Sequence, residues 1–244
     1  MSLSFKEIRV IETGYDTAYW NMAVDEVLLN STNDVPALRI YGWKPTAVSI
    51  GYFQRMEEEI DVKKCKQLGI DVVRRITGGG SVLHDSELTY SFITKRYPQS
   101  IIESYKWICD AVVISINKLG LDAKFSPLND IVINGKKISG NAQTRKNGTL
   151  LQHGTILLGV DSEKMFSILK VPSEKIRDKM ISHASERVAG LNKTFTEVTL
   201  ALKSGFGEKF GATLIDDKLT KEEEFTAKKL VEAKYITNKW NLRR

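Results

Sequence analysis

A chain of 244 residues, 42% hydrophobic and 27% charged, has globular composition and ample apolar material for a sizeable core. Its net charge of +6 is spread among acidic runs such as Glu57-Glu58-Glu59 and Glu222-Glu223-Glu224, which argues against a basic nucleic-acid stripe and for a solvated, Lys-rich surface. Two cysteines, Cys65 and Cys109, make neither a disulfide framework nor a metal cluster. No apolar run reaches membrane-spanning length and no signal-peptide core opens the chain, so a cytoplasmic protein without membrane or nucleic-acid partners is expected.

Residues 6–12 are β-rich and partly alternating, which predicts an opening strand. From Ala18, Trp20, Ala23, Val24, Val27 and Leu28 recur at helical spacing. Residues 37–41 and 46–50 read as short strands separated by the turn signal Gly42-Trp43-Lys44-Pro45. Asp61 suits the N-cap of a helix ending at Gly69; a strand at 70–76, a glycine turn and a strand at 88–94 follow. Ile102, Tyr105, Cys109, Val112, Val113, Ile116 and Leu119 form the stripe of a long helix closed by Gly120. Residues 130–134 and 137–139 flank Asn134-Gly135, a strong hairpin signal, and 149–158 form another strand. Beyond Asp161 the pattern is helical and Lys-rich, including a helix from Thr220 to about Tyr235. No Pro/Gly/Ser-rich linker divides the chain, so one domain over 1–244 is expected. Tight turns between neighbouring strands predict an α+β fold with a mixed, largely antiparallel sheet flanked by helices.

The segment 74–90 carries the most chemistry. Gly78-Gly79-Gly80 between two β-rich runs lets backbone approach a ligand and offers amide donors. Arg74-Arg75 before it can meet a phosphate or carboxylate bidentately, and His84-Asp85 follow. The spacing is neither a Walker loop nor the Gly-x-Gly-x-x-Gly of dinucleotide folds. A glycine-rich hairpin with surface arginines would account for the triple glycine alone. Further on, Lys137 lies just past a tight turn and precedes Ser139-Gly140, where an ammonium can project into a site; lone lysines are overwhelmingly solvated. Asp130 could hold magnesium or serve a turn, and His153 taken alone suits a structural histidine.

Together these segments resemble the lipoate–protein ligase A family, related in fold to biotin–protein ligases and octanoyltransferases. The resemblance runs from Asn21-Met22-Ala23-Val24-Asp25-Glu26 through Leu38-Arg39-Ile40-Tyr41-Gly42-Trp43-Lys44-Pro45 and Ser49-Ile50-Gly51-Tyr52-Phe53-Gln54. Its most specific matches are Arg74-Arg75-Ile76-Thr77-Gly78-Gly79-Gly80-Ser81-Val82-Leu83-His84-Asp85 and Gly135-Lys136-Lys137-Ile138-Ser139-Gly140-Asn141-Ala142. The resemblance implies ATP-dependent activation of lipoate to lipoyl-AMP, with Mg²⁺, and transfer of the lipoyl group to a lysine of a lipoyl-domain acceptor. That acceptor would be a 2-oxoacid dehydrogenase subunit or a glycine-cleavage carrier. Lys137 fills the family's essential lysine, which contacts the lipoyl carbonyl and the α-phosphate. Arg75, Thr77, Gly78, Gly79, Gly80 and His84 fall in the lipoyl-adenylate pocket, with Gly140 closing the lysine motif. Asn129-Asp130 matches a pair near phosphate and metal, with Asp130 the magnesium candidate. His153-Gly154-Thr155 matches one wall of the acyl pocket.

Three rivals are open. An octanoyltransferase on the same fold passes its acyl group through a cysteine thioester and needs an accessible, activated thiol. Such relatives carry a cysteine shortly upstream of the lysine motif, where this chain has Ala123-Lys124-Phe125-Ser126-Pro127-Leu128-Asn129-Asp130. A biotin–protein ligase would carry a Gly-Arg-Gly-Arg loop in place of the present one. A non-catalytic subunit binding lipoyl-adenylate or a lipoyl domain would not need Lys137. Many family members add a C-terminal accessory domain or pair with a separate subunit supplying it; the ending Lys239-Trp240-Asn241-Leu242-Arg243-Arg244 resembles that of catalytic domains standing alone. A separate accessory subunit is therefore expected.

Overall fold

The structure is a computed structural model and describes residues 3–31, 33–170 and 186–243. Two sheets organise it. The larger has eight strands in the order β11-β1-β2-β6-β10-β9-β8-β7. These are β1 (Glu7–Asp16), β2 (Ala37–Trp43), β6 (Glu87–Thr94), β7 (Ala123–Ser126), β8 (Asp130–Ile133), β9 (Lys136–Lys146), β10 (Thr149–Leu157) and β11 (Thr213–Asp217). The pairs β11–β1 and β1–β2 are parallel and the other five antiparallel. The smaller sheet has the order β4-β3-β5, from β3 (Ala47–Ile50), β4 (Asp71–Arg74) and β5 (Val82–His84).

The large sheet buries both faces, and side-chain alternation sorts the residues between them. One face of β2 and β6 (Leu38, Ile40, Leu88, Tyr90, Phe92) packs under helices α4 (Ile101–Asn117) and α6 (Phe195–Phe210). The opposite face (Ala37, Tyr41, Ile93) packs on helix α1 (Ala18–Leu29) and on Ala227 and Tyr235 near the C-terminus. Double coverage explains why β6 is buried along its whole length. A third, smaller core gathers Val48, Ile50, Met56, Ile60, Cys65, Ile70 and Ile168 beneath the small sheet. Around it lie the short helices α2 (Met56–Glu59), α3 (Val62–Gln67) and α5 (Ser162–Ile168).

Local signals act as the sequence suggests. Asp61 accepts from Lys64 N at 3.0 Å to cap α3, and Gly69 turns the chain at φ 65°. Asn134 and Gly135 take φ of 50° and 77°, the left-handed pair of a tight hairpin. The α+β class with a largely antiparallel sheet holds. The structure adds two features and corrects one expectation. The strands either side of Gly42–Pro45 do not pair: β2 joins the large sheet and β3 the small one. β5 went unseen because it is only three residues long. The stretch beyond Asp161 is not helical throughout. β11 interrupts it before α7 (Lys221–Leu230), the π-helical turn Val231–Tyr235 and α8 (Asn238–Asn241). β11 escapes pattern reading because it is a largely exposed edge strand with little alternation. Residues 171–185 of that stretch lie outside the described residues. Among the described residues no helix is long and apolar enough to cross a membrane.

Candidate active site

A cleft of about 340 Å³ opens between the two sheets. The small sheet supplies Ser49, Arg75, Gly79, Gly80 and His84; the large one supplies Lys137, Gly140, His153, Gly154 and Thr155, with Asn129 beside them. The glycine loop and the lysine hairpin, 57 or more residues apart in sequence, thus face one space. Thr77, Gly78 and Asp130 stand behind the lining rather than in it.

Arg75 is the hub: it lines the cleft, and its donors are engaged by the protein. It is buried, and its five N–H groups reach protein acceptors. Nε donates to Thr77 Oγ1 at 3.2 Å, Nη1 to Ser49 O and Oγ at 3.2 and 3.1 Å, and Nη2 to Gly78 O and Gly80 O at 2.7 and 2.8 Å. Burial pushes its guanidinium down to about 10. The fork shapes the glycine loop instead of presenting a free pair of donors to an anion. Only the middle glycine is demanded by backbone: Gly79 has φ 97°, and a Cβ there would lie 2.9 Å from Arg75 Nη2. Arg74, the other arginine, is fully buried and donates to backbone carbonyls, among them Gln54 O at 2.6 Å.

Two histidine relays meet at Arg75. His153 Nδ1 lies 3.0 Å from Asp25 Oδ2, and Nε2 lies 2.7 Å from Thr77 Oγ1. His84 Nδ1 lies 2.6 Å from Glu87 Oε1, and Nε2 lies 2.7 Å from Ser49 Oγ. A carboxylate can only accept, so each ring presents a proton on Nδ1 to it, and where the ring is neutral its Nε2 accepts from the hydroxyl. Burial lowers the affinity of His153 for a second proton, even against the pull of Asp25. Burial opposes ionisation of Asp25, but the His153 hydrogen bond and the charge of Arg39, 2.8 Å away, hold its carboxyl below the usual range. Trp43 stacks on the His84 ring with centroids 3.8 Å apart and 14° between planes, adding a flat apolar wall.

Across the cleft, Lys137 Nζ lies 2.7 Å from Asp130 Oδ1 and its side chain is partly open to solvent. That carboxylate oxygen accepts no aligned hydrogen bond, so the pair is held by charge. Gly140 makes room for the lysine: a Cβ there would lie 2.8 Å from both Lys137 Cε and Nζ. Gly154 does the same for Asn141, whose Oδ1 would lie 1.9 Å from an added Cβ. Asn129 and Asn141 clasp each other through backbone carbonyls, Asn141 Nδ2 reaching Asn129 O at 2.8 Å. Among the described residues no cluster of three His, Cys, Asp or Glu could hold a metal. Asp130 alone, already facing Lys137, does not fit a magnesium site built from protein donors.

Sequence reasoning missed Ser49, Trp43 and Asn141 as site residues, and the apolar lining from Met22, Leu83, Leu157 and Met165. Ser49, Trp43 and Asn141 stand inside the motifs that carry the resemblance, but nothing local distinguishes them from sheet residues. Both cysteines are wholly buried outside the cleft; burial pushes Cys65 up to about 11 and Cys109 up to about 12.

Residues 17–203 match the lipoyl protein ligase A/B catalytic domain. The octanoyltransferase LipM of Kyrpidia tusciae is 39% identical, with 97% of this chain and 98% of that protein covered. A bi-partite lipoate protein ligase from Thermoplasma acidophilum, described with its E2 lipoyl domain, superposes with TM-score 0.91 at 36% identity, over 99% of this chain and 98% of that one. A lipoate-protein ligase A bound with ATP superposes with TM-score 0.85 at 33% identity, over 97% of this chain and 98% of that one. The chain is a member of the lipoyl protein ligase A/B catalytic domain family, which spans lipoate ligases and octanoyltransferases.

Proposed function

We propose that the cleft holds an acyl-adenylate and that the chain is the catalytic domain of a lipoate–protein ligase. In the first step the lipoate carboxylate attacks the α-phosphorus of ATP; the acyl–phosphate bond forms and pyrophosphate leaves. In the second, the ε-amine of a lipoyl-domain lysine attacks the acyl carbon. The amide forms, AMP leaves and the amine proton passes to solvent. In this reading the Lys137 ammonium, which lines the cleft, neutralises the phosphate and the developing oxyanion in both steps. The glycine loop, stiffened by Arg75, aligns the reacting groups. In this reading a separate accessory subunit assists activation; the Thermoplasma ligase is described as bi-partite.

The single observation that carries this reading is the place of the thiols. A thioester relay needs an exposed, low-pKa cysteine, and this chain's two are buried with raised pKa values. The second reading, octanoyl transfer from a carrier protein, is favoured by the name of the Kyrpidia relative and by similar names among other curated relatives. A subunit that only binds lipoyl-adenylate or a lipoyl domain is the reading from outside catalysis; the placed Lys137 counts against it.

The test offers the purified chain an apo lipoyl domain with ATP, Mg²⁺ and lipoate, with preformed lipoyl-adenylate, or with octanoyl-carrier protein. Mass spectrometry reads the acceptor. Modification from lipoyl-adenylate supports the proposal, and failure with ATP alone assigns activation to the accessory subunit. Modification from octanoyl-carrier protein only would overturn it for octanoyl transfer. No modification from any donor, with binding retained, would leave the non-catalytic reading.

A further inference from the structure

The chemistry above leaves Arg74 unused, although it is among the most heavily bonded side chains of the molecule. Its guanidinium donates to two separate stretches of backbone. On one side are Gly51 O, Tyr52 O and Gln54 O at 3.1, 3.0 and 2.6 Å. On the other are Trp240 O, Asn241 O and Arg243 O at 3.2, 2.9 and 2.7 Å. Its main chain is held by the same segment: Arg74 N donates to Asn241 Oδ1 at 2.8 Å, and Trp240 Nε1 donates to Arg74 O at 2.8 Å.

The 51–54 turn in turn bears on the glycine loop. Tyr52 N donates to Thr77 O at 2.8 Å. Gly51 comes so close that a Cβ there would lie 2.0 Å from Gly79 O. Arg243 lies over the rings of Tyr52 and Trp240, 4.5 and 4.8 Å from their centroids, and donates to Tyr52 Oη at 2.8 Å. A continuous path therefore runs from 240–243 through the charge-assisted hydrogen bonds of Arg74 to 51–54, and on into 77–80 through the Tyr52–Thr77 backbone hydrogen bond and the close approach of Gly51 to Gly79.

We propose that residues 240–243 are a positioning element of the cleft, a latch that acts through Arg74 to hold the glycine loop in its ligand-binding shape. A role in global stability alone is the competing account. The two differ in what loosens. Loss of the latch frees the loop while leaving the eight-stranded sheet protected, because different opening reactions govern different regions of a native protein. Loss of global stability lowers protection everywhere together.

The test uses the full chain and two readouts, hydrogen exchange by mass spectrometry and equilibrium binding of a non-hydrolysable acyl-sulfamoyl adenosine. Asn241→Ala removes the acceptor of Arg74 N; the expected result is about tenfold faster exchange in 77–82 with β6 and β10 unchanged, and about tenfold weaker analogue binding. Asn241→Asp keeps the acceptor for Arg74 N but loses the amide that donates to Tyr235 O at 2.6 Å, so it is expected to restore loop protection in part. Arg243→Ala removes only the outer layer over Tyr52, so it decides the matter if the Asn241 variant fails to fold; the same shift, smaller, is expected. Unchanged loop exchange, or exchange rising equally in β6 and β10, would overturn the latch. The binding readout rests on the acyl-adenylate reading, and the exchange readout does not. Wild-type chain that ignores the analogue would sink that reading while exchange still tests the latch.

Discussion

Gly140→Ala tests whether the position of the lysine, rather than its presence, sets the rate. A methyl group at 140 would sit 2.8 Å from Lys137 Cε and Nζ, against ordinary separations of about 3.5–4.0 Å. The side chain must therefore withdraw by about 1 Å. Its ammonium then leaves the place where Asp130 holds it, 2.7 Å away. Position 140 is outside the left-handed region, and the atoms struck are the far end of a flexible chain. The fold should survive with a stability change of about 0.5 kcal/mol. Misplacing a reacting group by about 1 Å costs on the order of 100-fold in rate. The assay is single-turnover transfer from preformed lipoyl-adenylate to an apo lipoyl domain, followed by mass spectrometry. Lys137→Ala, folded but without the charge, sets the floor. A Gly140→Ala protein within about threefold of wild type, beside an inactive Lys137→Ala, would refute the claim that the ammonium must stand where the structure puts it.

Three further outcomes are expected. Replacing Cys65 and Cys109 together by alanine should leave acyl transfer within a fewfold of wild type, and a folded but dead double variant would restore the thioester route. Stability should fall as pH drops below the ordinary histidine range of about 6.5. His153, with its pKa lowered by burial, stays unprotonated in the native state while the unfolded chain takes up the proton, so the unfolded state gains as pH falls. Urea melts between pH 5 and 7.5 should show a shallower dependence for His153→Gln; an identical slope would remove His153 as the cause. Gly51→Ala brings a methyl against Gly79 O, and neither backbone can rotate out of the way as a side chain would. It should weaken adenylate binding by tenfold or more, read by calorimetry, and unaltered affinity would show that the loop tolerates displacement.

The sequence carries the fold to the extent that local codes carry it. The Asp61 cap, the Asn134-Gly135 turn and the stripe of α4 are nearest-neighbour chemistry, and all three stand in the structure. β11 and the parting of β2 from β3 depend on partners distant in sequence, which no window of ten residues contains. The site divides along the same line. Lys137, the glycine loop, His84 and His153 are legible because unusual residues cluster in short motifs, and ten of the thirteen expected site residues line the cleft. The role of Arg75 is not legible. Whether a guanidinium meets a ligand or five protein acceptors depends on Ser49, Thr77 and two carbonyls brought together only by folding. Asp25, 128 positions before His153, sits on a helix that pattern reading treats simply as amphipathic.

The cleft lies on a seam, with one wall from each sheet and a separate apolar core under each. A molecule lodged there works as a strut. Whatever free energy it gains by touching both walls is also cohesion between the two halves of the molecule, worth about 2.7 kcal/mol at a hundred times its dissociation constant. In the acyl-adenylate reading proposed above, loading the intermediate tightens the scaffold around it, and discharging it to the acceptor slackens that scaffold again.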